Sequence, residues 1–257
     1  MNAMKKLGLV ISYVTSVRIL DTSCYEEDED AFRGLAKYLP TVGLLIGAVL
    51  LCEERLLAVL QVNILLSAAL LTMTWLWLTG GLHMDGLMDT ADGIFSHRSK
   101  ERILEIMRDS RAGNFAILVA ITALTLKVLG LAVFQGSDLS VILFLVPALA
   151  RACEVYAIGR FNYARREGKG KIWHESTVFP LHFAISLLPV LLAAAFASRF
   201  VSFKLVSVLF LATVLGGMIV AHWLDLKVGG HTGDTYGAVV EASEVIGIVT
   251  AAIFGLG

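Results

Sequence analysis

Residues 56–95 read LLAVLQVNILLSAALLTMTWLWLTGGLHMDGLMDTADGIF. The first part, 56–79, is an apolar run long enough to cross a bilayer as a helix. The second part, 80–95, places Asp85, Asp89 and Asp92 directly behind it. On a helix of about 3.6 residues per turn these three aspartates fall within an arc of about 60°. Carboxylates on one face repel each other unless a cation sits among them. A hard divalent ion such as Mg²⁺, shared with phosphate oxygens, is the natural occupant. Gly86 and Gly93 then read as room for a ligand. The bland alternative is a solvated helix start with acids at the positive end of the dipole. Three acids on one face beside glycines exceed what capping needs.

The rest of the chain supports a membrane setting. Of 257 residues, 57% are hydrophobic and 17% charged, and the mean hydropathy is +0.76. That is too apolar for an ordinary soluble domain. The formal net charge of −1 gives no support for nucleic-acid binding. Cys24, Cys52 and Cys153 are scattered and match no metal-ligand spacing, which reads as packing.

Apolar segments at 39–52, 56–79, 115–135, 139–158, 180–198, 203–223 and 238–256 predict six or seven transmembrane helices. The fold class is therefore all-α and polytopic. The chain forms one integral-membrane catalytic domain, 1–257, with 1–38 as an N-terminal cytoplasmic or interfacial segment. Within it, Leu7–Val14 is too short to span and no small-x-small cleavage site follows. An interfacial or re-entrant helix over 7–20 and a surface loop over Tyr25–Asp30 are expected.

Lys/Arg asymmetry sets the orientation. Sixteen cations lie in the N-terminal segment and the 80–114, 159–179 and 224–237 connections, against Arg55, Arg199 and Lys204 in the alternate loops. The first group is expected in the cytoplasm. All the chemically suggestive blocks fall on that same side, so the active site faces the cytoplasm from a cell membrane.

Three further blocks accompany the aspartates. Residues 97–114, HRSKERILEIMRDSRAGN, carry Arg108, Asp109 and Arg111; the two arginines suit phosphate gripping and equally suit positive-inside topology. Gly113 lets the backbone approach a ligand. Residues 161–171, FNYARREGKGK, hold four cations and two glycines, a composition for anion binding or, again, topology. Residues 229–241, GGHTGDTYGAVVE, offer Gly230 and Gly233 as a phosphate cradle. Asp234, Gly237 and Glu241 share a face of the helix that follows. His83 suits a substrate phosphate or a structural hydrogen bond. Arg151 and Glu154, three apart inside an apolar segment, are site candidates because intramembrane charges are costly.

Four blocks together resemble the adenosylcobinamide-GDP ribazoletransferase (cobalamin synthase) family: 80–93, EIMRDSRAGNFA at 105–116, the YAR–EG pattern at 163–168 with Arg166 as one extra residue, and 229–241. The YLPTVGLLIG stretch at 38–47 resembles the family's N-terminal Pro–Gly–Gly pattern. The sequence departs from the family at YVTSVRIL, which lacks a proline, and at His231, a position often hydrophobic there. The resemblance implies joining of adenosylcobinamide-GDP to α-ribazole or its 5′-phosphate, with release of GMP and a requirement for Mg²⁺. It implies Asp85, Asp89 and Asp92 as metal-holding and catalytic residues, with Asp234 a further candidate for the proton of the ribazole 3′-hydroxyl. His83, Arg108, Asp109, Arg111, Arg165, Gly230, Gly233 and Glu241 become candidate substrate-binding residues. The implied partners are those two substrates and the lipid bilayer; a homo-oligomer is compatible.

Two other classes compete. A CDP-alcohol phosphotransferase needs an Ala–Arg pair after its first Asp–Gly, whereas Leu87–Met88 follow Asp85–Gly86. An ion-coupled transporter holds its acids near the bilayer midplane, whereas these gather at span ends.

Overall fold

The structure is a computed structural model and describes residues 1–21 and 29–255. Cys24 and most of the expected loop at Tyr25–Asp30 lie outside the described residues. In chain order the helices are α1 (Ala3–Val14), α2 (Glu29–Phe32), α3 (Leu39–Val59), α4 (Ile64–Leu78), α5 (Leu82–Phe95), α6 (Lys100–Ile106), α7 (Asn114–Leu131), α8 (Gly136–Arg160), α9 (Lys169–Glu175), α10 (Leu181–Ala197), α11 (Phe203–Val228) and α12 (Gly233–Gly255). Among the described residues there is no strand, only one isolated bridge between Tyr163 and His231.

This is an all-α polytopic membrane protein. α7, α8, α11 and α12 are long and apolar enough to cross a bilayer, and α4 with α5 pass the same test together but are bent by 88°. The count is thus four spans, or five with the bent pair. The sequence reading counted six or seven, and α10 and α3 make up the difference. α10 is an apolar helix of only 17 residues, while α3 carries Glu53, Glu54 and Arg55 in its C-terminal half.

Local signals explain the breaks. The apolar run 56–79 is not one helix, because its first residues finish α3 and Asn63 then starts α4 by accepting from the Leu65 and Leu66 amides. Hydropathy sees no boundary there, but the short polar side chain at an N-cap does. The bend between α4 and α5 falls on Gly80 and Gly81, with φ of 59° and 71°. Those left-handed conformations are cheap only for glycine. At the N-terminus Asn2 caps α1 by accepting from the Lys5 amide at 2.9 Å, so that helix begins earlier than expected and stops at Val14.

α8 is the central post. Nearly every residue from Leu139 to Ile158 is buried, and α3, α10, α11 and α12 pack around it. α3 approaches closely because Gly43 and Gly47 face it: a Cβ on Gly43 would sit 2.5 Å from Ala148 Cα. The outward faces of α7, α10 and α11 expose Leu118, Ile121, Leu188, Leu192, Leu215 and Ile219, an apolar belt suited to lipid.

Candidate active site

The site is assembled where α5 and α12 cross. Gly86 faces the Asp234 backbone and Gly237 faces the His83 backbone; a Cβ would lie 2.6 Å from Asp234 O and 2.9 Å from His83 O respectively. Gly86 and Gly93 therefore make room for close protein contact, and Gly86 also lines the cavity described below. Gly93 meets Met107 and Ile103 instead. The contact sets Asp85 beside Asp234 although 149 positions separate them in sequence.

A second join brings in the cationic block. The Ala164 amide donates to His231 O at 2.7 Å, and the His231 amide donates to Asn162 O at 2.8 Å. Gly230, at φ 133°, lets the chains approach here: a Cβ would lie 2.7 Å from Asn162 O. The His231 ring is fully buried between Ala221 O at 3.1 Å and Thr235 Oγ1 at 3.0 Å. Gly230 and His231 thus fix the loop rather than cradle a phosphate. The outcome is an ion pair between Arg165 Nη2 and Asp234 Oδ2 at 2.8 Å.

These joins enclose a cavity of about 570 Å³. Its walls combine Asp85, Arg165, Lys169, Gly233 and Asp234 with Arg18 from the N-terminal segment. Its inner part is lined by His83, Glu154 and Tyr236, and Tyr13, Tyr163 and Trp173 supply aromatic walls. Burial pushes the Tyr163 phenol above its ordinary range, so it stays neutral. Tyr13, Phe32 and Trp173 meet edge to face with centroids 5.2–6.0 Å apart, which holds α1, α2 and α9 as one wall.

The three sequence aspartates separate in role. Asp85 is exposed at the cavity. Asp89, one turn on, feels the like charges of Asp85, Asp234 and Asp92 and the opposite charge of Arg165. Asp92 turns away: its Oδ2 accepts from the Gly113 amide at 2.6 Å and its Oδ1 from Ala116 at 2.9 Å. It caps the N-terminus of α7 from another helix. No group of three or more His, Cys, Asp or Glu among the described residues is arranged to hold a metal ion. The expected Asp85–Asp89–Asp92 triad therefore does not form as such. A shared angular face was not enough, because Asp85 and Asp92 are about 10 Å apart along the axis at 1.5 Å per residue.

Other sequence candidates also lie elsewhere. Glu241 does not face the cavity. Its Oε2 takes the Lys127 ammonium at 2.6 Å, and Lys127 also pairs with Glu244 at 2.5 Å and lies 4.9 Å from the Trp75 ring centroid. Glu244 in turn pairs with Arg151 at 3.1 Å. Two cations and two carboxylates from α7, α8 and α12 thus close on one another inside the bundle. Arg108, Asp109 and Arg111 are exposed outside the cavity. Asp109 and Arg111 satisfy each other at 2.7 Å, and the Arg111 hydrogen bonds hold the Asp109 carboxyl down at about 2.

Reasoning from sequence missed Tyr236 and Trp173, aromatic residues with no motif of their own, and Lys127. The rule that singled out Arg151, a charge inside an apolar span, applies equally to Lys127.

A helical bundle with a lipid-facing belt and a carboxylate–cation cavity at its end defines a class: a polytopic membrane protein with a built polar site. The particular family follows from comparison with known proteins. The model of the cobalamin-5-phosphate synthase family matches residues 6–252, and this chain belongs to that family. Among curated relatives, the adenosylcobinamide-GDP ribazoletransferase of Thermosynechococcus vestitus is 42% identical over 84% of this chain and 85% of its own length. Those of Alkaliphilus oremlandii and Clostridium acetobutylicum are 37% and 35% identical, each over 96% of this chain and over 97% and 95% of their own lengths. No solved structure matches.

Proposed function

We infer that this chain is an adenosylcobinamide-GDP ribazoletransferase. It joins adenosylcobinamide-GDP to α-ribazole or α-ribazole 5′-phosphate, giving adenosylcobalamin or its 5′-phosphate and GMP. Family membership supports the activity. The observation that carries the site is one cavity uniting Asp85, Arg165 and Asp234 from three distant sequence blocks.

The reaction is a substitution at phosphorus. The ribazole 3′-hydroxyl oxygen bonds to the phosphorus attached to cobinamide. The bond from that phosphorus to the bridging oxygen breaks, and GMP leaves with that oxygen. Arg165, whose Nε has no hydrogen-bond partner among the described residues, is placed to donate to non-bridging phosphate oxygens. Lys169 and Arg18 add positive charge along the same wall. Asp234, set by Arg165 at 2.8 Å and by the Thr232 hydroxyl at 3.3 Å, takes the proton of the attacking hydroxyl.

The donor set suits a hard cation: Asp85 and Asp89 form no ion pair among the described residues, and Mg²⁺ needs only one or two protein carboxylates when substrate phosphates supply the rest. Asp85 and Asp89 would hold it. Bound there, Mg²⁺ would neutralise charge developing on the phosphates. The cationic loops share the cavity's side, which supports a cytoplasmic face in the cell membrane.

The test is protein in lipid vesicles given both substrates, with the guanylate radiolabelled. Release of labelled GMP matched by corrinoid product is expected. Uptake of intact adenosylcobinamide-GDP without GMP release would overturn the reading in favour of a transporter.

A further inference from the structure

The inner end of the cavity carries polar atoms that the phosphate chemistry does not use. His83 Nε2, Glu154 Oε2 and Tyr236 OH are buried and without a hydrogen-bond partner among the described residues, and all three residues line the cavity. The residues are only 2%, 7% and 3% exposed. Buried polar groups are normally hydrogen-bonded, so a ligand that pairs these three gains affinity from them.

The roles of these atoms can be read off. Arg151 Nη2 lies 3.4 Å from His83 Nδ1, and a guanidinium only donates. Nδ1 therefore accepts, and the ring proton sits on Nε2, which is a donor. Glu154 Oε2 is an acceptor 3.9 Å away, too far for a direct bond. Glu154 also stands outside the closed set of Lys127, Glu241, Glu244 and Arg151 ion pairs. The floor thus presents a donor beside a carboxylate acceptor, with Tyr236 of α12 lining the same cavity.

We propose that Glu154, His83 and Tyr236 form the guanine subsite, holding the base of the nucleotide that leaves. The proposal rests on the ribazoletransferase reading and deepens it. Guanine carries an acceptor, O6, next to two donors, N1–H and the 2-amino group. The donors fit the Glu154 carboxylate, and O6 fits His83 Nε2–H or the Tyr236 hydroxyl. Adenine presents the reverse order on that edge, and dimethylbenzimidazole has no N–H donor for the carboxylate. A cavity of about 570 Å³ is of nucleotide size and leaves the corrinoid outside. Tyr13 and Trp173 line the same cavity as aromatic walls.

The experiment compares GMP with IMP, which lacks the 2-amino group, by calorimetry on wild type and Glu154→Gln in lipid nanodiscs. Turnover of adenosylcobinamide-GDP is compared in parallel with that of its inosine analogue. Wild type is expected to prefer the guanine ligand about 10- to 100-fold, the usual range for one lost bond to a charged group. In Glu154→Gln that ratio falls towards one. Equal affinity of wild type for GMP and IMP overturns the subsite, even if the variant fails to fold. So does a preference that survives in Glu154→Gln. Discriminating GMP binding without GMP release from adenosylcobinamide-GDP would instead reject the transferase reading and leave the guanine subsite standing.

Discussion

Replacing Asp92 by Ala separates a structural cap from a metal ligand. In the structure the carboxylate accepts two backbone N–H groups at the start of α7, at 2.6 and 2.9 Å. A hydrogen bond to a charged group contributes about 1.5–3 kcal/mol, and an N-cap is worth about 0.5–2 kcal/mol. Asp92 is only part-buried, so the lower ends apply, about 0.5–1.5 kcal/mol for each of the two bonds, and the loss is expected to be about 1–3 kcal/mol. Asp92→Asn keeps one carbonyl acceptor and should lose roughly half of that. The assay is unfolding of purified protein in detergent, read with turnover across a Mg²⁺ titration. Both variants should unfold earlier, in the order wild type, Asn, Ala. The Mg²⁺ concentration for half-maximal turnover should stay at the wild-type value. Wild-type stability together with a raised Mg²⁺ requirement would refute the capping role and restore Asp92 to the metal site.

Two further substitutions probe the packing that builds the cavity. Gly86→Ala puts a Cβ 2.6 Å from the Asp234 carbonyl oxygen. Because the obstacle is backbone, α5 and α12 must separate, at a cost of about 1–3 kcal/mol, and turnover should fall at least about tenfold as Asp85 and Asp234 move apart; thermal midpoint and GMP release measured together check it. Lys127→Met leaves Glu241 and part of Glu244 buried without their cation. About 3–5 kcal/mol should be lost, seen as a lower yield of folded protein and an earlier unfolding transition; unchanged unfolding would show that the network contributes nothing.

Much of the fold was legible because burial in lipid demands long apolar runs, and α7, α8, α11 and α12 announce themselves that way. The α3–α4 break was hidden inside an apolar run, where Gln61, at φ 53°, and Asn63 mark it. The bend at Gly80–Gly81 was equally silent, since glycine reports freedom and not direction. At the site, sequence blocks placed Asp85, Arg165 and Asp234 among the candidates, but not their adjacency, which arises from Gly86–Asp234 contact and the Ala164–His231 pairing. Glu241 was misplaced for the same reason as Asp92. It shares a face with Asp234 yet sits two turns deeper, about 10 Å along α12, where Lys127 meets it.

The most direct measurement of the central claim is stoichiometric: GMP and corrinoid product formed from adenosylcobinamide-GDP and α-ribazole 5′-phosphate by wild type and by Asp85→Asn, with unfolding midpoints recorded on the same preparations. Asp85 is exposed at the cavity. One GMP per product is expected from wild type, and a loss of at least about 100-fold in Asp85→Asn at an unchanged midpoint. Wild-type turnover in that variant would contradict the assignment of the α5–α12 cavity as the place where phosphate is transferred.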